Sequence, residues 1–495
     1  MDEIKYICSD LEYNTSEHSE NEIDVGGTYS DLKYSSSESE SDSEISDIEH
    51  VEEKETTDKI ETWEPDHDWL ILKKGIASIN LFNGSNKSVL TAIGERFATY
   101  TRTNMSKTTM SNLLCMEHDT LPQPNQLPRS YYEARKLISP YLIPVRTYDA
   151  CINHCVVYRN SSDSKQYARK TECPVCMEPR YTRSGRSKRQ LKYLPVGPRL
   201  ARIYGNESLA AIMHNDISTN IPFQMTDIQD SPEYRKLFTS NGYFAGDKNG
   251  IVVGLEADGV APYHSYNQTY SFTVVTMPVF NIMRKYRMLF RNIFIVMIIP
   301  GNNKSEASCQ DAYIEILVDE LLYLSKYSQV TDYLGAPVKL KIKLLLYILD
   351  YPGFCKLFHL SGSGAASGCI WCHISGIRCK HLNKMVYLSN RTYLQKDHPL
   401  RKASGFPTDN KNETKDRPKL RTQSEYNEYT NAYKQAFNKT QAATIASATG
   451  SKGPNPLMRL PGHDRPQESI PDGMHTVQRC LLNIHNLIIG KHILI

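Results

Sequence analysis

Between Gly250 and Asp350 the chain alternates apolar runs with short polar breaks. Ile251–Leu255 is continuously apolar, the pattern of a strand buried on both faces. Ser271–Phe280 and Ile293–Ile299 are rich in β-branched and aromatic residues and predict two more strands. Next, Ile314, Leu317, Val318, Leu321 and Leu324 share one helical face. Glu315, Asp319 and Glu320 fall mostly on the opposite face, away from the expected core. Val338, Leu340, Ile342 and Leu344 then alternate with Lys339, Lys341 and Lys343 at strand period. That run continues fully apolar to Asp350, and Pro352-Gly353 stops it.

The predicted order is strand, strand, strand, helix, strand, an α/β arrangement. Three antiparallel strands, a crossover helix and a fourth strand beside the first give the mixed sheet of the ribonuclease-H-like fold. Asp258 closes the first strand and Asp350 the last, so two acids 92 residues apart are expected to meet at neighbouring strand ends. Such a pair suits phosphoryl transfer with two Mg²⁺ ions roughly 3.5–4 Å apart. Hard Mg²⁺ takes oxygen ligands, and carboxylates on rigid strand ends supply them.

The flanking sequence divides further. Residues 1–60 are acidic and of low complexity, with too few apolar residues to offset chain entropy, and are expected to be disordered. Residues 61–145 form a helical region, with helices expected over 88–100 and 130–142. A cysteine-bearing ribbon is expected over 146–182 and a basic linker with a short helix over 183–245. A sheet domain follows over 246–495, with an insertion from about 353 to 468.

The cysteines add a metal to this picture. Cys151 and Cys155 are followed at ribbon spacing by Cys173 and Cys176, and each close pair can present two thiolates from one short knuckle. A structural Zn²⁺ is the expectation, with His154 open as a replacement for Cys155. Cys369 and Cys372 form another knuckle, with His373, Cys379 and His381 nearby, but no second close pair follows. Asp472 and His475 begin an apolar helical stretch; Asp472 can serve as an N-cap and His475 as a ligand or proton carrier.

Charge is unevenly spread. The net charge of +3 hides about −15 on residues 1–60 and about +18 on the remainder. Arg180, Arg183, Arg186, Lys188, Arg189 and Lys192 follow the ribbon directly, with tyrosines interleaved. Such a run can neutralise DNA phosphates or act as a nuclear import signal. The acidic N-terminus has no apolar core of the secretory kind, and no segment reaches membrane-spanning length. A nuclear protein with a polyanionic partner fits these features, rather than a membrane or small-molecule one.

Several motifs in fixed order resemble the CACTA-type (En/Spm-like) DNA transposases over roughly residues 145–490. They are the cysteine ribbon with its Arg-rich run, Asp258-Gly259, Ile298–Gly301, Val318–Leu321 and Asp350–Pro352. Ser361–Cys372, Asp397–Arg401, Lys452–Leu457 and Asp472–His475 complete the series. The resemblance implies a DDE/D nuclease and strand transferase that binds transposon ends and cuts with Mg²⁺. It implies that Asp258 and Asp350 are the first two catalytic acids. It also implies that the Cys369/Cys372 and Asp472/His475 motifs sit in the insertion and share a zinc. Self-association is left open.

The sequence departs from that family in one respect. The third acid should lie downstream of His475, yet Thr476–Ile495 contain no Asp or Glu. Glu468 is a poor substitute, placed before the motif. A C-terminally truncated transposase of weakened or absent activity is therefore expected. The alternative is a non-catalytic, zinc-dependent nuclear DNA-binding protein.

Overall fold

The computed structural model describes residues 79–160, 166–213, 225–260, 272–289, 292–301, 310–327, 329–379, 383–387 and 418–472. The expected acidic tail over 1–60, the Asp397–Arg401 motif and His475 lie outside them. The described residues fall into two compact units, 79–131 and 132–472.

The first unit contains α1 (Val89–Arg102) and α2 (Lys107–Thr120). Ser88 and Ser106 cap them, their side chains accepting from Thr91 N and Thr109 N. Ala92, Ile93, Met110 and Leu114 are buried. Helix α2 has no counterpart in the expected helices because it buries little besides Met110 and Leu114. The helix expected over 130–142 is α3 (Tyr131–Ile138), which gives way to a 3-10 turn at Ser139–Tyr141 where Pro140 enters.

The second unit is built on a seven-stranded mixed sheet. In chain order the strands are β1 (Arg146–Asp149), β2 (Gln190–Tyr193), β3 (Ile251–Val260), β4 (Phe272–Met277), β5 (Phe294–Ile299), β6 (Gln329–Thr331), β7 (Pro337–Lys339), β8 (Ile342–Leu349), β9 (Ile377–Cys379), β10 (Lys384–Val386) and β11 (Ser469–Pro471). The helices are α4 (Val196–Tyr204), α5 (Glu207–Met213), α6 (Pro232–Leu237), α7 (Arg284–Arg287), α8 (Asp311–Tyr327), α9 (Tyr351–Leu357), α10 (Gln423–Lys434), α11 (Lys439–Thr449) and α12 (Arg465–Glu468). The sheet order is β1-β2-β5-β4-β3-β8-β11. Its neighbours are antiparallel from β1 to β3 and parallel from β3 through β8 to β11.

Both faces of β3 are buried, which is why Ile251–Leu255 reads as unbroken apolar sequence. Ile251, Val253 and Leu255 join Tyr313, Leu317 and Leu324 of α8 and Leu200 of α4 in the main core. Val252 joins Tyr234 and Leu237 of α6, with Phe244 and Phe280, in a second core.

Four expectations are corrected. Asp319 and Glu320 do not lie on a polar face: Glu320 is fully buried and Asp319 nearly so. Glu320 accepts from the N–H groups of Val196 (2.9 Å) and Gly197 (3.0 Å), and from the Tyr193 hydroxyl. It thereby satisfies the N-terminus of α4, whose own N-cap is Pro195 with no capping side chain. Asp319 bridges Arg159 (2.6 Å) and Arg459 (2.8 Å).

Lys343, read as one of three alternating lysines, is buried and bonds Glu468 at 2.6 Å and the Gly462 carbonyl at 2.7 Å. The segment expected as one strand from Val338 to Asp350 is two: β7 pairs back on β6, and only β8 enters the large sheet. The expected linker holds β2, with Leu191 and Tyr193 fully buried. In each case a partner distant in sequence covers the position, which local periodicity does not register.

Candidate active site

Strands β3 and β8 run parallel, and their ladder contains one irregularity. Ile251 pairs with Ile342 and Val253 with Leu344, but Gly254 pairs with Leu346, so Leu345 is an extra residue on β8. Such a bulge changes the register by one. Glu256 therefore pairs with Ile348. Continuing that register two residues places Asp258 level with Asp350. The irregularity is closely packed, because a Cβ on Gly254 would lie 2.8 Å from Cζ of Phe280.

Asp258 and Asp350 line one cavity of about 340 Å³ at this end of the sheet. The other walls come from β4 and β5 (Thr273, Val275, Ile299), the Pro300-Gly301 turn, Gln310, Ile314 and helix α9. Asp258 is exposed and its Oδ1 accepts from Gly259 N at 2.7 Å. Asp350 is the N-cap of α9, and its Oδ1 accepts from Gly353 N at 2.6 Å. Two carboxylates, one with a free rim and one fixed by a cap, form a hard-oxygen donor set that fits Mg²⁺.

Asp472 reaches the same edge from the other side. β11 pairs parallel with β8, Pro471 opposite Leu349, and Asp472 N donates to the Leu349 carbonyl at 3.0 Å. The same register carried one residue on sets Asp472 level with Asp350. Three acids thus stand level across three adjacent parallel strands about 4.8 Å apart. Asp350 and Asp472 directly follow β8 and β11, whereas Asp258, expected to close β3, lies within it, because β3 stays paired with β4 through Val260. The sequence motif identified Asp472 as a cap or auxiliary; the three-residue strand before it is too short to be read from periodicity. Glu468 is committed elsewhere, to Lys343 and to His463 Nδ1 at 3.1 Å.

The four ribbon thiols converge. Sγ atoms of Cys151, Cys155, Cys173 and Cys176 all lie within 4.8 Å of one another. Tetrahedral Zn²⁺ with Zn–S of about 2.3 Å needs S–S edges of about 3.8 Å, so the donor set fits. Two knuckle amides point at sulfur: Asn153 N at Cys151 and Val175 N at Cys173, each 3.4 Å. Burial pushes the Cys151 thiol up to about 11, whereas donation from Asn153 and Glu178 brings Cys176 to about 7 against its own burial.

His154 is not a member of the set. It sits at φ 60° in the first knuckle and turns its ring to the cavity wall. Its Nδ1 meets the Tyr313 hydroxyl at 2.8 Å, and Arg189 donates to its Nε2 at 2.9 Å. Burial, then the Arg189 charge, hold its pKa down to about 4.

The basic run divides by environment. Arg183 and Arg186 are exposed at the tip of a short turn. Lys192 is exposed and donates to Thr147 at 2.9 Å. Arg180 pairs with Asp149 at 2.7 Å and stacks on Tyr158, and Lys188 pairs with Glu178. Arg189 also donates to the carbonyls of Pro300 (3.1 Å) and Gly301 (2.8 Å), tying the ribbon to the cavity turn.

Cys369 and Cys372 bring their sulfurs to 3.5 Å. Among the described residues no third ligand joins them. His373 instead meets Glu425 at 3.3 Å, and the Cys379 side chain, His381 and His475 lie outside the described residues. Trp371, between the two cysteines, donates its indole N–H to the Ser469 carbonyl at 3.0 Å and so pins the start of β11.

Among the described residues no helix is long and apolar enough to cross a membrane. A family model described as "Transposase family tnp2" matches residues 224–432, a span that holds Asp258, Asp350 and the Cys369/Cys372 knuckle. The four-cysteine cluster and Asp472 lie outside that span. No curated protein matches the chain.

Proposed function

We propose that this is a CACTA-type transposase-like protein with a ribonuclease-H-like core that cleaves and joins DNA strands using Mg²⁺. The observation that carries the proposal is the level placement of Asp258 and Asp350 on one cavity. The strand order β5-β4-β3-β8-β11, antiparallel then parallel, supports the core assignment, and the transposase family match supports the substrate class.

In this mechanism Asp258 and Asp350 would hold the divalent cations, and Asp472 would supply the third carboxylate. Mg²⁺ held there supplies Lewis-acid activation of the attacking oxygen and charge stabilisation at the leaving one. The α9 cap keeps the Asp350 carboxylate from swinging away when the cavity is empty of substrate. Arg183 and Arg186 supply phosphate contacts outside the cavity, and the four-cysteine centre carries Zn²⁺. The partner is DNA at transposon ends, and the working compartment is the nucleus.

The test is Mg²⁺-dependent nicking of duplex DNA by the full chain, with Asp258→Asn, Asp350→Asn and Asp472→Asn compared. Loss of nicking in all three is the expected result. Nicking that survives both Asp258→Asn and Asp350→Asn overturns the nuclease assignment. The exposed Arg183/Arg186 tip beside the four-cysteine cluster also favours a second function, zinc-dependent DNA binding without cleavage. Binding lost in Cys173→Ser but kept in the Asp variants, with no nicking by the parent chain, is its signature.

A further inference from the structure

The wall of the carboxylate cavity contains a lysine that neither the motifs nor the family match assigns. Helix α9 begins at the Asp350 cap and turns Pro352, Gly353, Lys356 and Leu357 toward the cavity, one helical face. Lys356 lies six residues past Asp350, roughly 9 Å along the axis. Other described lysines in partly buried settings have partners: Lys188 has Glu178, Lys343 has Glu468, and Lys341 lies over the Tyr243 ring at 5.2 Å. Lys356 makes no hydrogen bond or ion pair with a described residue. His154, the other basic side chain in the wall, already has both ring nitrogens engaged.

A cation with no partner among the described residues, in the wall of a cavity that also carries two carboxylates, is suited to an anion that arrives from outside. If the carboxylates are occupied by divalent cations, they offer Lys356 no net negative charge. A phosphodiester does, and it must approach the same cavity to react. We propose that Lys356 is a positioning residue that binds the DNA phosphate neighbouring the one presented to Asp258 and Asp350. This rests on the nuclease reading and adds a substrate contact to it. The ammonium is a point charge on a long stem, so it can follow the phosphate without a fixed bidentate geometry.

The experiment uses the full chain with Zn²⁺ and Mg²⁺ and a short fluorescent DNA duplex. Binding is followed by anisotropy across a salt series for the parent, Lys356→Gln and Lys356→Arg. Lys356→Gln is expected to reduce the salt-dependence slope by about 1, and Lys356→Arg to restore it. Mn²⁺ affinity, read by calorimetry without DNA, is expected to be unchanged. An unaltered slope in Lys356→Gln overturns the proposal and leaves the nuclease reading standing. Tighter Mn²⁺ binding with an unaltered slope makes Lys356 a counter-ion to the acids, which also overturns it. A parent chain that binds no DNA removes both. A slope that falls in Lys356→Gln, together with no nicking by the parent, keeps the phosphate contact and removes the nuclease.

Discussion

Asp258 stands level with Asp350 because β8 carries one residue, Leu345, that β3 does not match. Before that residue the paired positions differ by 91 in number, and after it by 92. The first offset carried to the strand end would set Asp258 opposite Leu349, an apolar residue of the core. The register of the two acids is thus decided near Gly254, well inside the sheet.

Gly254→Ala tests this. The added Cβ meets the Phe280 ring at 2.8 Å, and overpacking of that kind costs about 1–3 kcal/mol. Expected is a lower midpoint in denaturant and weaker Mn²⁺ binding, because the strain sits at the register shift. A variant with unchanged Mn²⁺ affinity would separate the bulge from the placement of the acids.

Gly353→Ala acts directly on Asp350. Its Cβ would fall 2.7 Å from Asp350 Oδ1, the atom that accepts the Gly353 amide. The cap must break or shift, at about 1 kcal/mol. Nicking should fall far more than stability does, which paired activity and thermal-melt measurements would resolve.

Glu320→Ala should be among the most destabilising substitutions. It leaves two buried backbone N–H groups and the Tyr193 hydroxyl without their acceptor, at about 2–4 kcal/mol in all. Burial pushes the Glu320 carboxyl up and those three donors pull it back. Equilibrium urea unfolding measures the loss; a change under about 0.5 kcal/mol would show that the N-terminus of α4 finds another partner.

Zinc removal should reach beyond the ribbon. Arg189 and His154 connect the first knuckle to Pro300, Gly301 and Tyr313 in or beside the cavity wall. Chelation, or Cys173→Ser, is expected to lower the melting temperature and to expose the β5 turn to proteolysis. Metal content by atomic emission checks the starting point, and an intact digestion pattern in the metal-free chain would contradict the coupling.

Acid stability should follow His463 together with His154, whose pKa burial holds down to about 4. His463 is enclosed by Tyr347 and Glu468, with Lys343 and Arg465 near, and burial first of all holds its pKa below the ordinary 6.5. The unfolded chain takes up these protons near pH 6.5 and the folded chain only at lower pH. Below 6.5 the unfolded state therefore binds more protons, and stability falls as pH drops. His463→Gln should flatten that decline in part in melts taken from pH 7 downward; an equally steep decline would place the acid sensitivity elsewhere.

The sequence carried the central strands and their acids clearly, since β3, β5, α8 and β8 are long and strongly patterned. The four-cysteine set was legible from spacing alone, because two knuckles need little besides their own residues. What could not be read was anything decided by a partner far along the chain. Glu320 and Asp319 look like solvent-facing acids until α4, Arg159 and Arg459 are placed against them. Lys343 looks like an alternating surface residue until Glu468 arrives from 125 positions away. Asp472 belongs to the acid row only through β11, three residues with no periodicity to detect.

That short edge strand also sets an order of assembly. β3, β4, β5 and β8 are all made by residue 349, and their ladders can form as the chain emerges. β11 must wait for the residues between, and its pairing with β8 closes a loop of more than a hundred residues. Longer loops cost slowly growing closure entropy but slow the search. Until then the β8 edge is open and apolar, the kind of surface that pairs with the wrong strand. The Trp371 indole bond to Ser469 holds the start of β11 once it has paired. Newly synthesised chain would therefore be most prone to aggregation in the interval between Asp350 and Asp472, and a co-expressed peptide matching Ser469–Pro471 would act on that interval.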